Sequence, residues 1–399
     1  MHDVIIVGGG PAGSTTALAL AAVAPELARR VVVLEKSRYP REKPCAGALG
    51  ARGDALLREL GVEVDVPSAA IDGMSFRGTG VEVTAAPGRI GRVVRRLEFD
   101  AALARAVRSR GVEVREGVRV DRVTNDGLGA VLETTAGTVR ARVVAGCDGV
   151  GSVVRKALGL GAGQLRAQVV EVDTEAVRGD PDRSLLHFDA SDRSLAGYAW
   201  DFPTVVDGRP LVCRGVYRLK VDDGPGDEGR DVSAILAARL RAQGIDPARC
   251  KNKRYAERGF EPATCLARGA LMLVGEAAGI DPVTGEGIAQ AIEYGGLAGR
   301  FLARRLRSED GLPAVAEWHE EVGASRLARD LRIRTRFVRL FYGPARPEVE
   351  RFLAETPDAL YVGCQHFAAQ PYDWVKLAGV LARGAAALLG LRIGEALSR

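Results

Sequence analysis

The stretch Val4-Ile5-Ile6-Val7-Gly8-Gly9-Gly10-Pro11-Ala12-Gly13 decides the fold. Its four β-branched residues suit a buried parallel strand, and the glycines at 8, 10 and 13 form a G-x-G-x-x-G turn. Small apolar residues follow from Ala17 to Leu20, as a helix packed on that strand needs. A second apolar strand, Val31-Val32-Val33-Leu34, ends in Glu35, 22 residues after Gly13. Gly8 allows the tight turn, Gly10 lets the backbone approach a pyrophosphate, and Gly13 lets helix and strand pack closely. Pro11 and Ala12 open the helix, whose N-terminal N–H groups face the phosphates. Glu35, followed by Lys36, accepts hydrogen bonds from ribose hydroxyls and repels a 2′-phosphate. Strand, turn, helix, strand and acid in register specify a dinucleotide site.

The rest of the chain limits what that site serves. Of 399 residues, 47% are apolar and 27% charged, which excludes a disordered chain, a collagen-like fibre and a membrane bundle. The net charge of +5 comes from 56 basic against 51 acidic residues. These are dispersed without a basic block, so no nucleic-acid footprint is expected. The six cysteines lie far apart with no C-x-x-C, which argues against both a zinc site and a disulfide scaffold. The opening residues lack a charged n-region and a cleavable apolar segment, and no run of about 18 apolar residues exists. The expected location is cytoplasmic.

Three further segments identify the dinucleotide. Val93 to Asp100 holds Arg95 and Arg96 and leads into a helical pattern from Ala101 to Val107. Ala141 to Gly149 is a strand ending in Gly146-Cys147-Asp148-Gly149. Leu271 to Gly279 is a strand reaching Gly275-Glu276-Ala277-Ala278-Gly279, and Asp281-Pro282-Val283-Thr284-Gly285-Glu286-Gly287-Ile288 follows into a helix from Ala289 to Leu297. In order and spacing these resemble the flavoprotein superfamily that folds like para-hydroxybenzoate hydroxylase. The resemblance implies an α/β fold: a Rossmann-like FAD-binding domain, an inserted antiparallel-sheet substrate domain and a helical C-terminal segment. The expected boundaries are 1–160 and 263–330 for the FAD domain, 161–262 for the substrate domain and 331–399 for the helices. It also implies FAD as cofactor, with Glu35 on the adenosine ribose and Arg96 near the adenine-side phosphates. Asp148, Gly275, Glu276, Gly285, Gly287 and Ile288 are the further cofactor contacts it implies. Glu276 stands where the family usually has an aspartate. Cys147 reads as a small buried hydrophobe, and Arg95 as a solvated charge at a helix start.

Two segments narrow the choice. Tyr39 to Leu49 contains Lys43-Pro44-Cys45-Ala46-Gly47, and Gly197-Tyr198-Ala199-Trp200-Asp201-Phe202-Pro203 puts three aromatics on one face of a strand. Both are similar to the geranylgeranyl reductase family. There a Lys-Pro-Cys-Gly-Gly segment sets a cysteine over the flavin, and a Tyr-x-Trp-x-Phe-Pro strand lines an isoprenoid tunnel. The resemblance assigns Cys45 and Ala46 to the flavin contacts, Cys45, Tyr198 and Trp200 to catalysis, and Tyr198, Trp200, Phe202 and Pro203 to substrate binding. Ala46 departs from the family's glycine, and Thr204 and Asp201 depart around the aromatic strand. Alternation points Asp201 away from the pocket. The implied reaction is hydride transfer from reduced flavin to a C=C bond of a prenyl or other long apolar substrate. The reductant would come from outside, as NAD(P)H, a reductase or a ferredoxin, because no second G-x-G-x-x-G exists. The alternative is an FAD-dependent monooxygenase hydroxylating an aromatic or a protein-borne side chain, and a halogenase fits less well.

Residues from about 161 to 262 read as strands (Ala167 to Val177, Ser184 to Asp189, Leu195 to Phe202, Leu211 to Leu219), with a solvent loop at Pro225 to Asp231 and a helix from Ser233 to Gln243. His187 reads as a satisfied sheet residue. After residue 300 the pattern is helical: Phe301 to Arg307, Ala314 to Ala328, Leu331 to Tyr342 and Trp374 to Leu397. The last helix either docks on the body, forms a dimer face or lies on a membrane surface; a lipid substrate raises the prospect of peripheral membrane contact.

Overall fold

The computed structural model describes residues 1–220, 231–308 and 315–397, with side chains to residue 387. The expected loop at Pro225 to Asp231 lies outside the described residues apart from Asp231, as does Ala314. Asp231 caps the helix Val232–Ala242 by accepting a hydrogen bond from the Ser233 N–H.

The strand His2–Val7 sits in the middle of an eight-stranded sheet, parallel to Val31–Glu35 on one side and Gly137–Gly146 on the other. Beyond Gly137–Gly146 comes Leu271–Leu273, also parallel. Val4, Ile5 and Ile6 are wholly buried, so both faces of the strand are covered and the run is continuously apolar and does not alternate. Val7 pairs with Leu34 and with Gly146, and Gly146 pairs with Leu273. The carboxyl ends of four parallel strands therefore finish level with one another. Gly8, Glu35, Cys147 and the turn after Val274 all emerge from that edge, where open α/β sheets bind ligands.

The second sheet has seven strands in the order Lys253–Arg258, Arg166–Thr174, Arg209–Lys220, Gly197–Val206, Leu185–Asp189, Gly73–Gly78, Val81–Ala85. Five of these strands, from the edge strand Lys253–Arg258 to Leu185–Asp189, come from the 161–262 stretch, but the hairpin Gly73–Ala85 comes from the first part of the chain. Leu185–Asp189 pairs with Gly73–Gly78 in parallel, a contact that no local turn announces. One face carries Val170, Val172, Ala199 and Val216, covered by Leu236 and Leu240 of the helix Val232–Ala242. The other face carries Tyr198, Trp200, Phe202 and Tyr217 and packs in one cluster with Ala46, Ala48 and Val283. Asp201 points to the covered face, where it pairs with Arg214 and Arg239. His187 is buried and shares a hydrogen bond with Ser75 Oγ at 2.8 Å.

The helix Ile288–Ser308 packs along the first helix, Pro11–Val23. Trp318, wholly buried, donates from its indole to the Leu273 carbonyl at 2.8 Å. The helices Arg326–Tyr342, Arg346–Glu355 and Asp358–Ala368 close the open side of the second sheet, and Trp374–Leu397 packs on the last two. No helix among the described residues is long and apolar enough to cross a membrane.

Candidate active site

Gly8 adopts φ +98, and a Cβ there would lie 2.5 Å from the Cys147 carbonyl oxygen. A Cβ on Gly13 would lie 1.9 Å from the Gly8 oxygen, so helix and turn touch backbone to backbone. The Glu35 carboxylate, almost fully buried, accepts from the Gly9 N–H and the Ser37 N–H, both at 3.0 Å. It thereby fixes the turn and the start of the following loop. Arg96 grips the buried Asp100 at 2.6 and 2.7 Å, and Arg41 reaches the same carboxylate at 3.0 Å. Both guanidiniums stand beside Gly10: a Cβ there would be 3.3 Å from Arg96 and 3.7 Å from Arg41. Two cations share one fully buried anion next to an N-terminal helix turn, an arrangement suited to a pyrophosphate.

This turn opens on a cavity of about 490 Å³ whose walls include Pro11, Ala12, Lys36, Asp148 and Glu276. Asp148 Oδ2 accepts from the Val153 N–H at 2.7 Å, while its Oδ1 is buried without a partner. Glu276 Oε1 is likewise buried and unpartnered. Burial pushes both carboxyls up; Ser152 and the Val153 N–H pull Asp148 back down, and Lys43 and Arg96 do the same for Glu276. Unpaired buried acceptors are costly unless a ligand donor meets them. A glycine turn, a shared-carboxylate arginine pair and two waiting acceptors fit FAD, whose pyrophosphate and hydroxyl groups are the complementary partners.

A second cavity, about 700 Å³ and mainly apolar, lies under the aromatic face of the second sheet. Tyr198 stacks on Tyr217 at 5.2 Å, and Phe188 meets both Tyr198 and Phe202 edge-on at 5.2 Å. Trp200 lies flat against Gly215, where a Cβ would come within 2.1 Å of its ring. Six residues line both cavities: Cys45, Tyr255, Glu257, Gly285, Gly287 and Ile288. They form the junction between the cofactor space and the apolar space.

The junction is rigid for a specific reason. Three successive carbonyls of the segment before the helix Ile288–Ser308 are each held by a tyrosine: Pro282 by Tyr217 at 2.9 Å, Val283 by Tyr342, and Thr284 by Tyr198 at 2.5 Å. Asp281 completes the clamp by accepting from the Val283 N–H and the Thr284 hydroxyl and pairing with Arg334. The Cys45 N–H donates to Glu171 Oε1 at 3.1 Å, and Tyr255 donates to the other oxygen of Glu171 at 3.0 Å. Burial pushes the Cys45 thiol up, against the pull of Arg96.

Most residues singled out from the sequence converge here. Gly8, Gly10, Glu35, Arg96 and Asp148 line the cofactor cavity, Ala46, Tyr198, Trp200 and Phe202 the apolar one, and Cys45 both. Gly13 and Gly275 stand behind the wall, Gly275 with φ +67 and its would-be Cβ 2.6 Å from that of Ala12. Pro203 is buried but absent from the apolar lining, since alternation turns it away from Phe202. Gly47, at φ +84, supplies the left-handed residue of its loop, so Ala46 needs no such freedom. Arg95 is a correction: it is not a solvated charge but pairs with Asp173 at 3.0 and 3.2 Å, because the second sheet folds over the helix start. Arg41, Tyr217, Tyr342 and Glu257 carried no sequence signal, their roles depending on cross-strand and interdomain contacts.

A family model described as FAD binding domain matches residues 1–322. The menaquinone reductase of Mycobacterium tuberculosis (strain ATCC 25618 / H37Rv) is 31% identical over 327 residues, covering 76% of this chain and 77% of the relative. The digeranylgeranylglycerophospholipid reductase of Methanocella arvoryzae is 28% identical over 354 residues, 80% of this chain and 82% of that one. A solved geranylgeranyl bacteriochlorophyll reductase-like protein from Thermoplasma acidophilum shares the fold, with a TM-score of 0.70 at 21% identity over 96% of this chain and 95% of that chain. With a glycine turn, two guanidiniums and two unpaired carboxyl oxygens fitted to its cofactor, the chain belongs to the FAD binding domain family, as an FAD-dependent oxidoreductase.

Proposed function

We propose that this chain reduces C=C bonds of a prenyl or other long apolar substrate with electrons from bound FAD. The observation that carries the reading is the apolar cavity of about 700 Å³ that meets the cofactor cavity at Cys45 and Glu257. A volume of this size holds a long ligand, and walls of this character reward an apolar one. When bound, reduced FAD supplies the hydride equivalent. The chain's own residues do the rest. Tyr198, Trp200, Phe202 and Phe188 exclude water and align the alkene, which carries no charge to grip. Cys45 packs at the junction, where the reacting bond must lie. The N-terminus of the helix Ile288–Ser308, with Gly285 and Gly287 before it, favours negative charge at the cofactor edge. The reductant arrives from outside: NAD(P)H, a reductase or a ferredoxin.

The reading extends to where the substrate comes from. Ile333, Phe337 and Leu377 line the apolar cavity, and the first two are also solvent-exposed. That rim supports a cytoplasmic protein in peripheral contact with a lipid surface.

The test is anaerobic. Dithionite-reduced holoenzyme mixed with a prenyl diphosphate or prenyl lipid should regain its oxidised flavin absorbance and yield a product carrying two more hydrogens by mass spectrometry. Absence of reoxidation under argon, with oxygen-dependent hydroxylation of an aromatic acceptor instead, would sink the reductase reading.

A further inference from the structure

We infer that Glu257 is the proton donor of the reaction, delivering the second hydrogen to the alkene carbon opposite the one that takes hydride. The inference rests on the reductase reading and deepens it. A C=C reduction needs two electrons and two hydrogens. The hydride brings both electrons and one hydrogen, so an acid must stand at the same junction.

Three junction residues carry a titratable proton: Cys45, Tyr255 and Glu257. The Tyr255 hydroxyl is committed to Glu171. A thiol is ordinarily about four pH units weaker as an acid than a carboxyl, and burial weakens Cys45 further. Tyr198 and Tyr217, next along the wall, spend their protons on the Thr284 and Pro282 carbonyls. The Glu257 carboxyl takes part in no hydrogen bond or ion pair among the described residues, and its Oε2 is buried with no partner. The residue keeps partial accessible surface where it lines both cavities. A Cβ on Gly285 would come within 2.4 Å of Oε2, so the carboxyl lies against the clamped segment before the helix Ile288–Ser308.

Its surroundings keep the proton on. Burial raises Glu257 well above the ordinary carboxylate range, and nearby Glu276, Asp281 and Glu171 raise it further against the opposing pull of Lys43. Tyr255, Tyr217, Tyr198 and Cys45 are the other titratable groups around it. The step balances. The O–H bond of Glu257 breaks, the alkene π pair forms the new C–H bond with that proton, and hydride from reduced FAD supplies the pair for the other C–H bond. The carboxylate left behind is favoured by the nearby Lys43 charge and regains a proton from water after product leaves.

The experiment uses wild-type, Glu257→Gln and Glu257→Asp holoenzymes. Each is first checked for FAD binding and for reduction of ferricyanide, which needs no proton on carbon. The prenyl rate of each variant is divided by its own ferricyanide rate, so that any change in cofactor loading cancels. In anaerobic single turnover with a prenyl substrate in D2O, the wild type should place one solvent deuteron in the product. Glu257→Gln should reoxidise about 100-fold or more slowly, the usual weight of a general acid, with partial rescue in Glu257→Asp. The wild-type rate should fall as pH rises through the raised Glu257 value, and that limb should vanish in Glu257→Gln. A readout free of turnover comes from the apoprotein. Native Glu257 binds a proton that the unfolded chain releases, so Tm falls as pH rises above the ordinary carboxyl range. Glu257→Gln should flatten that slope. Reoxidation of Glu257→Gln at the wild-type rate, or parallel loss of ferricyanide reduction, overturns the assignment alone. A wild type that no prenyl substrate reoxidises overturns the reductase reading and the assignment with it.

Discussion

Cys45 shows how much one position can owe to its backbone. Its N–H is held by Glu171, and its side chain faces both cavities. Removing the sulphur leaves the hold on the loop intact, so Cys45→Ala should keep FAD. It opens a void where the alkene packs, and a substrate misplaced by a fraction of an ångström loses rate. We expect turnover to fall about tenfold with KM nearly unchanged, measured by steady-state kinetics on purified holoenzyme; an unaltered kcat would make Cys45 a plain filler. The motif around Cys45 was legible because a loop sequence encodes it locally. Glu257 was not, since Lys253 to Arg258 is a charged edge strand and only the fold shows that its single carboxyl turns inward.

The second sheet carries a buried charge network on the face away from the substrate. Arg214, wholly buried, donates to Asp201, Asp180 and the Thr174 hydroxyl, while Arg239 joins Asp201 to Asp189. Asp201 is the shared node between two arginines. Asp201→Ala strands the Arg214 guanidinium with one of its two carboxylates gone, a loss on the order of 3–5 kcal/mol when a buried pair is broken. Urea unfolding should show the midpoint falling accordingly; a shift under about 1 kcal/mol would mean that Asp180 alone satisfies the arginine. Alternation in Tyr198 to Phe202 made the two faces of this strand legible, including the outward turn of Asp201. The hairpin Gly73–Ala85 stayed hidden: its parallel partner is 112 residues away across the Ser75–His187 bond, and parallel pairing leaves no turn signal in the sequence. Arg95 failed for a related reason, as its partner Asp173 belongs to the sheet that folds over it.

Over the whole molecule, the rim of the apolar cavity gathers what a bilayer surface selects. Phe337 and Ile333 are 39% and 46% exposed, and on the final helix Trp374 and Val375 are 73% and 84% exposed. Arg329, Arg336 and Arg339 stand exposed on the same helix as Phe337, with no ion-pair partner among the described residues. Apolar groups that enter the headgroup region, flanked by unpaired cations, bind anionic leaflets. Such a contact would bring the cavity opening to the lipid, letting a prenyl chain pass inward without crossing water. The wild type should therefore float with phosphatidylglycerol vesicles and not with phosphatidylcholine vesicles, and rising salt should release it. Each arginine near an anionic surface contributes about 1 kcal/mol, so Arg336→Glu with Arg339→Glu should weaken binding by tenfold or more. Trp374→Ala should weaken it through the apolar contribution instead, with the salt dependence left as in the wild type. None of these side chains lines the cavity, so turnover of a short, water-soluble prenyl diphosphate should be the same in all three proteins. Equal flotation of the charge-reversed variant and the wild type would show that the rim faces something other than a membrane.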